Sequence, residues 1–142
     1  VVDQFGYLPD APKVAVIRNP ITGFDAQESY SPGSHFALVD AKNNSHVFTG
    51  TPVVWNNGST NPSSGDQAWW FDFSEVSETG RYYVLDINNN TRSFEFRISP
   101  SVYNEVLKHA FRTFFYQRVG FAKEQPYAEK GWTDEASHMG SL

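Results

Sequence analysis

The chain has 142 residues, no cysteine and a formal net charge of −5, and its 11 Lys and Arg residues are scattered along the sequence. These counts exclude disulfides and thiolate metal sites, and they argue against nucleic acid or an anionic membrane as a partner. Aromatic residues make up 16% of the chain, a high share that favours β-structure built around an aromatic core.

The first hundred residues have the pattern of a small all-β domain. About seven short stretches of strand character alternate with turns rich in Gly, Pro, Asn and Ser. Strands recurring at this spacing are typical of an immunoglobulin-like β-sandwich, so we predict a mainly β fold of that class over residues 1–99. The strands are predicted at residues 13–18, 35–40, 46–50, 52–55, 68–73, 81–87 and 91–98.

Two adjacent tryptophans, Trp69 and Trp70, lie in the fifth predicted strand. Successive side chains of a strand point to opposite faces, so we expect at most one of them in the core and one on the surface. A surface tryptophan is able to stack on a pyranose ring or to cover an interface with a neighbouring domain. We favour the interface, and keep both residues as candidates for substrate binding.

The last predicted strand leads directly into a helix, without a flexible linker. Its alternation places Phe94, Phe96 and Ile98 on one face, and Ser99-Pro100 suits a helix cap followed by a first helical residue. Over residues 101–118 apolar pairs recur every four residues, which gives the helix a wide apolar stripe. The candidate interface residues on this stripe are Tyr103, Leu107, Phe111, Phe114 and Phe115.

The residues after this helix are too few and too polar to bury such a stripe. Gly120 is predicted to cap the helix, and residues 121–142 are predicted to be an irregular tail. We therefore expect the stripe to contact another domain, or the same helix of a second copy in a homo-oligomer.

No catalytic or metal-binding set emerges from the residues alone. Asp72 and Glu75 could be proposed as an acid/base pair, but a strand end that runs into a turn explains them better. None of the histidines has the spacing of a metal ligand, and we expect His109 to pack beside the apolar stripe. We assign no catalytic residue, no metal ligand and no cofactor.

Three parts of the chain together resemble glycoside hydrolase family 9. Residues 2–13, VDQFGYLPDAPK, look like the opening strand of the immunoglobulin-like domain that precedes that family's catalytic domain. DFSEV at 72–76 and TGRYYV at 79–84 are similar to a later segment of the same domain. SVY at 101–103 and AFRTFFYQRVG at 110–120 resemble the first helix of the family's (α/α)6 catalytic barrel.

The resemblance implies a non-catalytic module that braces the catalytic domain of an inverting β-1,4-endoglucanase. It implies that residues 100–142 are the truncated start of the barrel, and that the enzyme is secreted, extracellular or periplasmic. The family's catalytic aspartates, in a DAGD motif, and its catalytic glutamate have no counterpart in this sequence, so we expect the chain to be inactive alone. Val119 and Ser137 replace two family cysteines, so no zinc is expected at His138.

Two other functions stay open. One is a carbohydrate-binding module that grips β-glucan through surface tryptophans, and the other is an unrelated immunoglobulin-like interaction domain. The helix favours the bracing module over both alternatives, because a self-contained binding domain has no use for an apolar helical stripe.

Overall fold

A computed structural model describes residues 1–140, so Ser141 and Leu142, the end of the predicted barrel segment, lie outside the described residues. The chain divides into two compact units, Val1–Val102 and Tyr103–Leu142. The strands of the first unit are β1 Val14–Pro20, β2 Phe36–Asp40, β3 His46–Gly50, β4 Val53–Val54, β5 Asp66–Asp72, β6 Gly80–Asp86, β7 Thr91–Arg92 and β8 Phe96–Ile98. The second unit contains the helix α1, Asn104–Gln117.

The strands form two antiparallel sheets that share one core. The smaller sheet has the order β1-β5-β4, and the larger has the order β3-β2-β6-β7, with β8 also paired to β6. The immunoglobulin-like β-sandwich is thus confirmed, and the predicted strands lie within about two residues of the observed ones, the usual spread of boundary assignments. The buried cluster between the sheets consists of Tyr7, Ala15, Ile17, Phe36, Leu38, Phe71, Phe73, Tyr82, Val84, Phe96 and Ile98.

The strand predicted over residues 91–98 is broken into β7 and β8, and the cause is Ser93. The amide N–H of Val84 donates to Ser93 Oγ at 3.0 Å, and the same hydroxyl donates to the Phe94 carbonyl at 2.7 Å. The Ser93 amide still donates to the Val84 carbonyl at 2.8 Å, so the side chain replaces only the backbone acceptor at this point of the ladder. Phe96 is buried as predicted, but Phe94 is 92% exposed, so the expected alternation was wrong at that residue.

Residues 2–13 do not form the opening strand that the resemblance implied. The strand-like pairing of this segment with the sheets consists of an isolated parallel bridge between Tyr7 and Ile98, flanked by turns. The side chain of Lys13, at the end of this segment, is buried, and its Nζ donates to the carbonyls of Pro9 at 2.5 Å and Ala11 at 2.8 Å. A buried ammonium is held here by backbone oxygens, which supply the hydrogen bonds that burial requires.

The helix exists as predicted, but both of its ends differ. It begins at Asn104 with Tyr103 as N-cap, because Ser99 instead accepts a hydrogen bond from the Ser101 amide in a preceding turn. It ends at Gln117, where Arg118 leaves in an extended conformation, with φ −72° and ψ 135°. Gly120 is therefore not the cap. No helix in the described part of the chain is long and apolar enough to cross a membrane.

Candidate functional site

The outer face of the three-stranded sheet carries one exposed tryptophan in an apolar row. Trp70 on β5 lies opposite Val16 of β1 on one side and Val53 of β4 on the other. Trp70 is 48% exposed, whereas Trp69 is partly buried and packs against the core. The expected division of the two tryptophans between core and surface is confirmed, and the use of Trp70 as an interface residue stays a prediction.

In the second unit, one face of α1 is bare. Leu107, Phe111 and Phe114, spaced four and three residues apart, fall on one side of a helix, and all three are exposed. Phe111 is 66% and Phe114 is 72% exposed, and none of the helical residues is buried. Three neighbouring apolar side chains in water form a surface that is able to bind another apolar surface.

The tail covers the other side of α1, which the sequence did not predict. Phe115 lies 5.7 Å from Phe121 between ring centroids, and Tyr116 lies 5.6 Å from Trp132. The hydroxyl of Tyr116 also accepts a hydrogen bond from the Glu129 amide at 3.0 Å. Phe115 therefore belongs to a second apolar face that the tail shields.

Local order in this tail supports that packing. Lys123 and Asp134 form an antiparallel bridge, with reciprocal N–H to carbonyl bonds of 2.8 and 3.1 Å. Arg112 on α1 forms an ion pair with Glu129. The tail over residues 121–140 forms no helix or strand, in agreement with the predicted irregular tail. Its aromatic rings nevertheless pack on α1, which the sequence did not predict.

Asp72 is placed as a turn acceptor and not as a general acid. Its Oδ1 accepts the Ser74 amide hydrogen at 2.8 Å, where β5 ends. The hydroxyl and amide of Ser74 together hold the pKa of Asp72 below its usual value. A glycosidase acid needs a raised pKa, so Asp72 has the wrong electrostatic environment for that role.

The histidines form no metal site either. Within residues 1–140, no group of three His, Asp or Glu side chains is arranged to hold a metal ion. The prediction that His109 packs beside the apolar stripe was wrong. Its ring is exposed, and Nε2 lies 4.0 Å from a carboxylate oxygen of Glu105 one turn earlier, so it takes part in a surface pair.

A buried carboxylate that the sequence reasoning missed joins distant parts of the sandwich. Asp86, at the end of β6, is buried and accepts hydrogen bonds from the Tyr30 hydroxyl at 2.5 Å and the Gly33 amide at 2.8 Å. The amides of Asn88 and Asn89, each at 3.1 Å, and Asn89 Nδ2 at 2.9 Å complete the set. Burial alone would raise the pKa of Asp86, but these donors outweigh it and lower the pKa.

Nothing in the local sequence marks Asp86 as such a centre. An aspartate followed by several asparagines predicts only a turn. Its main partners, Tyr30 and Gly33, precede it by more than fifty residues. Because five donors saturate both oxygens, the carboxylate is a structural acceptor with no remaining capacity for a cation.

Comparison with known proteins identifies the fold. The cellulase N-terminal ig-like domain family matches residues 1–92. A cellulose 1,4-beta-cellobiosidase of Acetivibrio thermocellus is 31% identical over 98% of this chain and 15% of its own length. A cellodextrinase of Butyrivibrio fibrisolvens is 30% identical over 90% of this chain and 20% of its own.

A solved structure agrees with both. The crystal structure of a metagenome-derived glycoside hydrolase family 9 endoglucanase superposes with a TM-score of 0.66 at 30% identity. The superposition covers 96% of this chain and 24% of that one, so the chain spans a quarter or less of the proteins it matches. On this evidence, the chain belongs to the cellulase N-terminal ig-like domain family, the non-catalytic module of glycoside hydrolase family 9 enzymes.

Proposed function

We propose that this chain serves a longer β-1,4-glucanase as its accessory module and braces the catalytic domain of the same polypeptide. The observation that carries the proposal is the family match over the sandwich combined with relatives that are several times longer. The named relatives include a cellobiosidase, a cellodextrinase and an endoglucanase, so the proposal extends to cleavage of β-1,4-glucan and not to an endo or exo mode.

The chemistry of the longer enzyme would follow the inverting scheme that the family resemblance implies. A carboxylic acid protonates the leaving oxygen while a carboxylate on the opposite side activates water. Neither group is assigned to this chain, where Asp72 is held as a turn acceptor. The chain alone should therefore release no reducing sugar from carboxymethylcellulose. Release above a protein-free blank, in an assay calibrated with an active endoglucanase, would contradict this.

The partner and the compartment are open to a direct check. We propose that the coding sequence continues beyond Leu142 into the rest of a family 9 barrel, and that an export signal precedes Val1. Export is expected because a polymeric glucan cannot enter the cell to meet the enzyme. A reading frame that stops at Leu142, or that continues into an unrelated domain, would overturn the accessory role.

The bracing role itself is tested on the longer enzyme. Deleting residues 1–99 should shorten the half-life of glucanase activity during heating, since the catalytic domain loses a packing partner. The control is the intact enzyme heated in parallel. An unchanged half-life would show that the module is not a brace.

A second proposal concerns the chain by itself. The exposed face formed by Leu107, Phe111 and Phe114 favours self-association, because two such helices would meet in a self-complementary two-fold contact. In the longer enzyme we propose that the same face, together with Tyr103 of the predicted stripe, contacts other barrel helices. Phe115 instead packs on Phe121 of the tail.

A further inference from the structure

The last strand of the sandwich, β8, is hydrogen-bonded to the N-terminal segment of the chain. The amide of Tyr7 donates to the Arg97 carbonyl at 2.8 Å, and the amide of Ser99 donates to the Tyr7 carbonyl at 3.0 Å. These two bonds form the parallel bridge between Tyr7 and Ile98. They place β8 between β6 and a single residue of the N-terminal segment, and they reach one residue beyond the end of β8.

Gly6 makes this approach sterically feasible. Its φ of +108° lies in a region that residues with a side chain rarely adopt. A Cβ at this position would lie 2.3 Å from the Arg97 carbonyl oxygen and 2.6 Å from Cγ2 of Val102. The first atom is backbone and cannot rotate away, so a side chain at residue 6 would push the segment off the chain between Arg97 and Val102.

Tyr7 anchors the segment in the core. Its ring is buried and makes edge contacts with Phe73 at 5.2 Å and Phe96 at 5.1 Å between centroids. Its hydroxyl donates to the Val14 carbonyl at 3.1 Å and accepts from the Asp3 amide at 3.0 Å. The segment is therefore tied to both sheets, to β8 through its backbone and to the start of β1 through the hydroxyl.

We infer that Gly6 and Tyr7 form a clamp that fixes the path of the chain from β8 to Val102, immediately before the N-cap of α1. This inference rests on the proposed bracing function and gives it a structural basis. A module that braces its neighbour through a direct connection needs that connection to be rigid. The turn at 99–102 is ordered by the Val102 amide, which donates to the Ser99 carbonyl at 3.3 Å, and by the clamp on Ser99. Gly6 and Tyr7 act as positioning residues for the segment from Ser99 to Val102.

The chain supplies a matched control for Gly6. Gly23 has a similar φ of +116°, but a Cβ there would come no closer than 3.6 Å to its nearest neighbour, the Asp25 side chain. Gly6→Ala and Gly23→Ala therefore carry a similar cost from the positive φ, and only Gly6→Ala adds the collision with Arg97 and Val102. Amide hydrogen exchange of the 142-residue chain, measured by NMR, compares the two variants.

We expect the Ser99 amide to exchange at least about tenfold faster in Gly6→Ala than in Gly23→Ala, a change of about 1.4 kcal/mol. The Leu38 amide, in the buried centre of β2, should exchange at the same rate in both variants. Equal Ser99 rates in the two variants would overturn the clamp.

A second variant covers the case in which Gly6→Ala loosens the whole sandwich and accelerates Leu38 as well. Val102→Ala removes the Cγ2 methyl group that lies against Gly6, and it should accelerate exchange of the Ser99 amide without affecting that of Leu38. An unchanged Ser99 rate in that variant would overturn the clamp. Neither outcome bears on bracing, which is decided by the heating experiment on the longer enzyme, so the two proposals fail separately.

Discussion

Replacing Asp86 with asparagine should destabilise the sandwich far more than the same change at Asp40, a half-buried aspartate. In either orientation of the new amide, its NH2 group faces two or three N–H or O–H groups that now donate hydrogen bonds to the carboxylate. In one orientation these include the Gly33 amide and Asn89 Nδ2, and in the other the backbone amides of Asn88 and Asn89. Hydrogen bonds to charged groups contribute about 1.5–3 kcal/mol each, and the more exposed donors recover part of this from water. We therefore expect a loss of about 2–4 kcal/mol.

Asp40→Asn is the matched control. Asp40 also ends a strand, but its Oδ1 accepts a single local bond, from the Lys42 amide at 2.8 Å, which an asparagine oxygen is able to accept as well. Its loss should stay below about 1 kcal/mol. Urea unfolding of both variants and the parent at pH 6, followed by circular dichroism, gives the free energies of unfolding. A loss at Asp86 no larger than that at Asp40 would refute the reasoning.

The pH dependence supplies an independent check on the Asp86 prediction. The folded state lowers the pKa of this carboxyl below its ordinary 3.8. The contribution of the charged group to the free energy of unfolding is therefore fully present above pH 3.8. The contribution is lost as the pH falls through the lower, folded-state pKa. The stability gap between the parent and Asp86→Asn should therefore narrow below about pH 3.8. A gap of constant size between pH 6 and pH 3 would show that charge is not the cause.

Three further predictions follow from the surfaces and the strand break. Phe111→Asp should abolish self-association of the chain in sedimentation equilibrium. Thr113→Asp, a control on another exposed side of α1, should leave self-association unchanged. A parent that is monomeric at high micromolar concentration would contradict the self-association proposal. Trp69→Ala should cost about 3 kcal/mol of stability because the ring packs on the core, and Trp70→Ala should cost much less. Neither substitution should change migration in hydroxyethylcellulose gels. Retardation of the parent that disappears in Trp70→Ala would favour the binding-module alternative. Ser93→Ala should cost about 1–3 kcal/mol in urea unfolding because it leaves a buried β6 amide without its acceptor, and a neutral result would mean that the strand break has another cause.

The approximate positions of the strands and the resemblance to family 9 follow from the sequence. Short apolar runs between Gly, Pro and Asn turns specify strands and hairpins locally. The run Asn88-Asn89-Asn90 lies in the turn between β6 and β7, with φ 50° at Asn90. The opposite placement of Trp69 and Trp70 needed only the two-residue period of a strand. Composition alone excluded disulfides and thiolate metal sites.

The choice between equivalent candidates came from tertiary contacts. Phe94 and Phe96 are two residues apart and were expected on the same face of the strand. The strand is interrupted where the Ser93 hydroxyl bonds to β6, and Phe94 is exposed to solvent. Phe111 and Phe115 share one helical stripe, yet the ring of Phe121 shields only the second.

The same holds for the backbone and for buried charge. Gly6 and Gly23 both adopt a positive φ, but only the fold shows that a carbonyl lies against the first. Asp86 is a turn aspartate by sequence and a buried hydrogen-bond centre in the fold, because Tyr30 reaches it from more than fifty residues away. Local patterns fix what depends on neighbours in the chain, whereas burial and hydrogen-bond partners depend on residues that only folding brings together.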